Sequence, residues 1–276
     1  MQYAEFPPHP DLAGIVACLW TLSGDASRLG ADTQPILPDG RPELILHFGD
    51  AFERVHADGC IERQPEVIFA GQLTSQLLLR PTGVIGVLGV RFHPYGAAAL
   101  IDTPQQALAG LTIGVDEIAP ALKRALDDVR AATVDLTEAV ALVQQMLPRW
   151  LAVDRIDARV RAAVELIAGT QGLMPIDVVA ARVSVTRRQL ERTFLRTVGV
   201  TPKRLARITR FQHALRVLEE CESASPGTRT AVTCGYADQA HFIRDFRDLA
   251  GCPPGEHLLR RFELTGVFTS RATSVS

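Results

Sequence analysis

A segment of seventeen residues occurs twice in the C-terminal third of the chain. The first copy is TRRQLERTFLRTVGVTP, residues 186–202, and the second is DQAHFIRDFRDLAGCPP, residues 238–254. A single offset of 52 residues aligns the copies without a gap and places Gly199 on Gly251 and Pro202 on Pro254. Two copies of one supersecondary unit are the interpretation that such a repeat favours.

Each copy predicts an amphipathic helix of about three turns that ends at a glycine. The apolar stripes are Leu190, Phe194 and Val198 in the first copy, and Phe242, Phe246 and Leu249 in the second. Shorter apolar patterns at 175–185 and 228–237 predict a short helix before each copy. Ser184 or Thr186, and then Asp238, are the candidate N-caps. A short helix, a tight turn and a capped second helix are typical of a helix-turn-helix.

Charge divides the chain into two unlike parts. Residues 1–153 hold 10 basic and 18 acidic side chains, whereas residues 154–263 hold 18 basic and 13 acidic ones. Between Arg182 and Arg216 there are ten Lys or Arg and a single acid, Glu191. A basic face of this kind on two capped helices indicates a polyanion partner for the C-terminal part.

The C-terminal part resembles the AraC/XylS family of bacterial transcription regulators over about residues 160–262. The resemblance rests on SVTRRQLERTF (184–194), GVTPKRLARITR (199–210), ALRVL (214–218) and CGYADQAHFIRDFRDLAGCPP (234–254). It implies two helix-turn-helix units that are joined by a long helix, predicted here at 202–220. Double-stranded DNA is the implied partner, RNA polymerase is a further candidate, and the repeated helices would read adjacent major grooves.

The same resemblance assigns DNA-contacting positions in each repeated helix. In the first helix they are Thr186, Arg187, Arg188, Glu191 and Arg192, with Arg196 one turn beyond as a phosphate contact. In the second they are Gln239, Ala240, His241, Ile243 and Arg244. Arg192 is the strongest candidate for base recognition, because a guanidinium can donate to O6 and N7 of guanine together.

The N-terminal part shows a different pattern. Short runs rich in Val, Ile and Leu alternate with Gly- and Pro-containing turns between residues 36 and 91, which predicts a β-sandwich or barrel. Helical periodicity follows at 115–131 and 135–151. The predicted fold is therefore a multidomain α+β chain, with a β-barrel or cupin-like domain, a helical hairpin and an all-α domain. The predicted bounds are 1–112 for a regulatory β domain, 113–153 for the hairpin, 154–263 for the DNA-binding domain and 264–276 for a flexible tail.

Cupin-like N-terminal domains of AraC-like regulators often sense a small molecule or mediate dimerisation, so an effector and a homodimer through the hairpin are expected here. Glu43 and His47 lie on one face of a predicted strand. Arg91 and His93 alternate around Phe92 and are candidates for contact with an anionic or polar effector. These four residues form the predicted ligand site.

Two alternatives remain open. One is a metal-dependent cupin-like enzyme fused to a helix-turn-helix module, and the other is a regulator that senses protein partners through the hairpin. Glu43, His47 and His93 do not form the clustered motif that such a metal centre needs, and the five cysteines lack paired spacing. We therefore expect no enzyme activity, no metal and no cofactor. The sequence has neither a secretory signal pattern nor a long apolar run, so a cytoplasmic, non-membrane protein is expected.

Overall fold

A computed structural model describes residues 1–29, 33–220 and 226–259, without the side chains of residues 226–228. The predicted tail at 264–276 therefore lies outside the described residues. Among those residues, none of the helices is both long enough and apolar enough to cross a membrane.

The strands lie in the first 114 residues and form two antiparallel sheets, in agreement with the predicted β-rich N-terminal domain. Among the described residues they are β1 (Gln2–Phe6), β2 (Val16–Asp25), β3 (Gln34–Ile36), β4 (Glu43–His47), β5 (Glu53–Val55), β6 (Ile61–Arg63), β7 (Val67–Ala70), β8 (Leu77–Arg80), β9 (Val84–Phe92) and β10 (Thr112–Gly114). The larger sheet has the order β1-β2-β9-β4-β7-β10, and the smaller one has the order β3-β8-β5-β6. The two sheets do not join into one closed barrel.

The larger sheet forms the central layer of the N-terminal part. Because side chains alternate along a strand, Leu44 and Leu46 of β4 point to one face and Glu43, Ile45 and His47 to the other. The first face packs on the helices that follow, and the second faces the smaller sheet. The space between the two sheets is where a ligand cavity can form.

The helices that complete this domain differ from the predicted hairpin in two respects. They are α1 (Ala97–Leu100), α2 (Val115–Ile118), α3 (Pro120–Ala132) and α4 (Leu136–Met146). The helix predicted at 115–131 is interrupted at Ala119, whose φ of −152° is not helical, because Pro120 follows it. The helix predicted at 135–151 ends at Met146 and continues only as a 3-10 turn at Leu147–Trp150.

The apolar stripes of the hairpin are covered within the chain. Leu122, Leu126, Ala139 and Val143 belong to the same buried core as the larger sheet. The hairpin therefore packs on the β domain, and the dimer that was expected through it remains a prediction.

The remaining helices form two helix-turn-helix units. They are α5 (Ala158–Gly169), α6 (Ile176–Arg182), α7 (Arg187–Thr197), α8 (Pro202–Glu219), α9 (Pro226–Thr233), α10 (Gln239–Ala250) and α11 (Pro254–Leu259). The repeated segments are α7 and α10, and α8 is the predicted joining helix. The first unit shares the core of the β domain through Val164, Leu190 and Leu205, whereas the second unit has its own core around Phe211 and Phe246.

Candidate DNA-binding surface and effector cavities

The two repeated helices begin and end in equivalent ways. The Thr186 side chain accepts from the backbone N–H of Gln189, and the Asp238 side chain accepts from that of His241. The candidate cap Ser184 lies in the turn instead, with a φ of 55°. Gly199 and Gly251 have φ values of 91° and 72°, which only glycine adopts readily, so both helices end at the predicted glycines.

On α7, the exposed face carries most of the predicted contacts. Arg188 and Arg192 are exposed and one turn apart, and the described residues include no ion-pair partner for either. Arg187 is held by acids, with Nε 2.9 Å from Glu191 Oε1 and a guanidinium nitrogen 3.4 Å from Asp177 Oδ1. Two free guanidinium groups on one face are therefore available to DNA, and Arg187 is available only if its ion pairs open.

Arg196 occupies a different environment from Arg192. It is exposed, but it also lines a cleft of about 220 Å³ together with Asp102 and Arg155. Asp102 and Arg155 form an ion pair of 3.3 Å across this cleft. The C-terminal end of α7 thus lies beside the β domain.

On α10, the predicted contacts are less basic. Gln239, Ala240 and Arg244 are exposed, and Ile243 and His241 are half-buried. His241 packs edge-on against Tyr236, with 5.3 Å between the ring centroids. Arg244 falls at the same position of its helix as Arg192 does in α7, because the offset between them is the same 52 residues.

Two of the ten basic residues counted between 182 and 216 make contacts within the fold and do not belong to an exposed basic face. Arg207 binds Asp245 and Asp248 of α10 at 2.8 and 2.7 Å. Arg204 donates to the backbone carbonyl of Thr74 in the β domain. The sequence could not separate these residues from DNA-contacting ones, because their acceptors lie about 40 and 130 residues away along the chain.

Three of the four predicted ligand residues, Glu43, His47 and Arg91, line one cavity between the two sheets. Arg91 lies opposite Glu43 on the neighbouring strand, and its Nε is 2.7 Å from Glu43 Oε1. Asp39 and Glu5 lie 3.8 and 3.7 Å from the same guanidinium. Burial lowers the pKa of Arg91, but the opposing effect of its anionic neighbours, Glu43 and Asp39 foremost, raises that pKa overall. Burial raises the pKa of Glu43 against the opposing effect of Arg91.

His47 occupies the other end of this cavity. It is 1% exposed, and neither ring nitrogen has a hydrogen-bond partner within normal geometry among the described residues. Burial lowers the pKa of His47 to about 4, although the nearby amide of Gln64 favours its protonated form. The ring is therefore neutral near pH 7.

The cavity is small and mostly apolar. Its volume is about 60 Å³, and its walls include Trp20, Phe52, Leu77 and Val87. Trp20 lies where a side chain at Gly89 would be, and its indole Nε1 donates to Glu43 at 3.1 Å. Trp20 is therefore both a core residue and a wall of the cavity.

His93 does not join the other three residues. It follows the end of β9, and its ring stacks on Tyr95 with 5.7 Å between centroids. It lines a separate cleft of about 540 Å³ between the β domain and helices α5 and α8. The prediction that Arg91 and His93 point into the same interior is wrong, because the strand ends at Phe92 and the alternation stops there.

Sequence reasoning missed most of the residues around that cleft. Asp39 is one of them, and its Oδ1 accepts from the backbone N–H of Arg41 at 2.9 Å. Its other oxygen faces Arg91. Arg41, Arg161 and Arg216 line the cleft from three distant segments, so no local pattern could have grouped them.

The described residues contain no group of three His, Cys, Asp or Glu side chains that could hold a metal ion. Cys18, Cys60 and Cys234 are free thiols.

Comparison with known proteins identifies two domains in the chain. Residues 4–114 match a domain of unknown function, DUF6597, and residues 179–260 match a helix-turn-helix domain. A curated relative, a probable thc operon regulatory protein from Rhodococcus erythropolis, is 33% identical over 101 residues. These residues are 36% of this chain and 30% of the relative, so the chain spans less than a third of that protein's length.

Two solved structures are also similar. A probable AraC family transcriptional regulator from Rhodopseudomonas palustris is 30% identical and has a TM-score of 0.35, over 38% of this chain and 97% of that one. Unsaturated fatty acid bound ToxT from Vibrio cholerae is 12% identical and has a TM-score of 0.43, over 89% and 94% of the two chains.

A β-rich domain followed by two helix-turn-helix units defines the class: a two-domain chain whose C-terminal domain is of the DNA-binding helix-turn-helix type. The predicted family is confirmed by the matched domain and the curated relative. Through its C-terminal domain the chain belongs to the AraC/XylS family.

Proposed function

We propose that this protein is a sequence-specific, double-stranded DNA-binding transcription regulator. The observation that supports this most strongly is the pair of exposed arginines, Arg192 and Arg244, at equivalent positions of two capped helices. Both helices are held by one joining helix, α8, so their spacing is set by the fold. Such a rigid pair can read two successive stretches of major groove.

The β domain contacts the joining helix directly. The Gln212 side chain donates to the Pro38 carbonyl at 2.7 Å, and Arg204 donates to the Thr74 carbonyl. Leu205 lies against the Gly40 turn and belongs to the core that the β domain shares with the first unit. We infer that a ligand in the β domain would act on DNA binding through α8.

The cavity of Glu43, His47 and Arg91 is one candidate effector site. Because Arg91 already faces three carboxylates, this cavity suits a small uncharged molecule that hydrogen-bonds to His47. At about 60 Å³ it is smaller than ordinary metabolite pockets. A larger effector would need the sheets to separate. Homodimerisation and contact with RNA polymerase are further parts of the proposal, as is a cytoplasmic location.

Selection of bound sequences from a pool of random duplex DNA tests the proposal. The full chain should enrich a sequence with two recognised stretches about one helical turn apart. The proposal fails if no sequence is enriched while the protein is folded.

A further inference from the structure

The cleft of about 540 Å³ between the domains is within the size range of small-molecule sites. Both parts of the chain build it. Arg41, His93 and Tyr95 come from the β domain, Arg161 and Glu165 from α5, and Arg216 from α8. We propose that this cleft binds a small organic anion that bridges the two domains. The site lies outside the inter-sheet cavity, and its regulatory meaning rests on the proposed function.

The charge of the cleft favours an anion. Its walls carry three guanidinium groups, from Arg41, Arg161 and Arg216, and two carboxylates, from Asp39 and Glu165. Asp39 already faces Arg91 of the β domain at 3.8 Å. Of the described residues, none forms an ion pair with any of the three arginines. The cleft therefore holds more cationic than anionic groups, and its arginines have no ion-pair partner among the described residues.

The pKa of His93 is affected by the same cationic groups. Burial lowers the pKa of His93, and the nearby Arg41 and Arg161 lower it further, against a smaller opposing effect of Glu165. Guanidinium groups from both domains are thus close enough to act on one imidazole. Like charges on these groups repel each other, and an anion between them would offset that repulsion.

Arg161 has unused capacity to bind an acidic group. Its guanidinium lies 5.5 Å from the centre of the Tyr95 ring, a cation–π contact, and its buried Nε has no hydrogen-bond partner among the described residues. A guanidinium without a carboxylate partner can bind a carboxylate or phosphate through two parallel hydrogen bonds.

The rest of the cleft indicates the shape of the ligand. Val164, Ala168 and Leu205 supply apolar surface beside the arginines. The site therefore fits a molecule with one acidic group and a compact apolar body, and a carboxylate or a phosphate ester would satisfy the same contacts. Because Leu205 and Arg216 lie on α8, bound ligand would fix the joining helix to the β domain.

Thermal unfolding of the full chain at constant ionic strength tests the proposal, with benzoate, phenyl phosphate and inorganic phosphate as probes and benzyl alcohol as the uncharged analogue. We expect a saturable rise in Tm of several degrees with benzoate or phenyl phosphate and none with benzyl alcohol. Arg161→Gln should weaken that binding at least tenfold, whereas Arg149→Gln, at an exposed site outside the cleft, should leave it unchanged.

The proposal is overturned if none of the three anions raises Tm saturably, or if Arg161→Gln binds them as tightly as the parent. A response to benzyl alcohol equal to that of benzoate would also overturn it. DNA selection with the same protein separates this result from the proposed function: loss of anion binding with intact DNA recognition contradicts only the cleft, and loss of DNA recognition contradicts the regulator.

Discussion

Arg207 of the joining helix and Asp245 of the second repeated helix form an ion pair with 2.8 Å between Nε and Oδ1, and the Asp245 side chain is only 9% exposed. Arg207 also reaches Asp248 at 2.7 Å. This contact attaches α10 to α8 at a fixed angle. The ring of Phe246 packs against Phe211 beside it, with 5.2 Å between centroids. This polar clamp and this aromatic contact therefore help to hold α10 on the joining helix, together with the core of the second unit.

Removing one partner of this clamp should destabilise the protein. We expect Asp245→Asn to lower the free energy of unfolding by about 1 to 3 kcal/mol, because Arg207 loses a charged hydrogen bond in a partly buried place. Urea denaturation measures this change. Asp248→Asn is the matched control. Because the Asp248 side chain is 56% exposed, this substitution should lower the free energy of unfolding by less. Equal effects of the two substitutions would show that burial does not strengthen the Asp245 contact.

His47 should make stability depend on pH on the acid side. Its pKa is about 4 in the folded protein and 6.5 in the unfolded chain, so the unfolded state binds more protons between these values. The free energy of unfolding should therefore fall as the pH drops below about 6.5, by up to about 1.4 kcal/mol per pH unit from this residue. The stability that depends on the neutral His47 ring is fully present above pH 6.5 and is lost as the pH falls toward 4.

Urea denaturation between pH 7.5 and pH 4.5 checks this expectation. His47→Gln should give a shallower decline than the parent, although the lowered pKa values of His93 and His257 keep part of the slope. His9→Gln, at an exposed site, controls for the loss of one imidazole. An unchanged slope in His47→Gln would contradict the buried neutral ring.

The glycine that ends the first repeated helix should be intolerant of a side chain. Gly199 has a φ of 91°, and a Cβ there would lie 2.8 Å from the backbone oxygen of Gln105 in the β domain. We expect Gly199→Ala to lower the free energy of unfolding by about 1 to 3 kcal/mol.

Gly169→Ala is the control for this substitution. Gly169 is the last residue of α5, and no atom lies within 4 Å of an added Cβ. Its free energy of unfolding should change by less than about 1 kcal/mol and in the stabilising direction. If Gly199→Ala behaved in the same way, the close approach of the first unit to the β domain would be wrong.

Arg196 should contribute to DNA affinity without contributing to sequence preference. We expect Arg196→Ala to weaken binding to all duplexes alike and to reduce the log–log salt slope by about one unit, because a phosphate contact carries no sequence information. Titrations of selected and random duplexes at several salt concentrations measure both quantities. A change confined to the selected duplex would place Arg196 on a base.

The helical domain could be predicted from the sequence because its signals are local. Thr186, Asp238, Gly199 and Gly251 mark helix ends within a few residues, and the repeat supplies each signal twice. The β domain could be predicted only as a class. Strand runs with turn residues between them indicate sheets, but the order β1-β2-β9-β4-β7-β10 depends on pairings between distant segments.

The candidate sites, too, could be predicted only where the sequence pattern is local. Glu43 and Arg91 face each other because β4 pairs with β9, and alternation along each strand did place Glu43 and His47 on one face. His93 was grouped with Arg91 by the same alternation, which fails once the strand ends at Phe92. Arg41, Arg161 and Arg216 come together only through the packing of α5 and α8 on the β domain, so no sequence spacing could reveal them.

The central claim is that α7 and α10 are two separate DNA readers, and parallel titrations of Arg192→Ala and Arg244→Ala test it most directly. Each variant would be measured against the selected duplex and all its single-base variants, with circular dichroism to confirm folding and Arg149→Ala as the control. Each substitution should cost about 1 to 3 kcal/mol of binding and relax preference at one base position. Those positions should lie about one helical turn apart. If both variants relaxed the same position, or if neither relaxed any while remaining folded, the two-reader account would be contradicted.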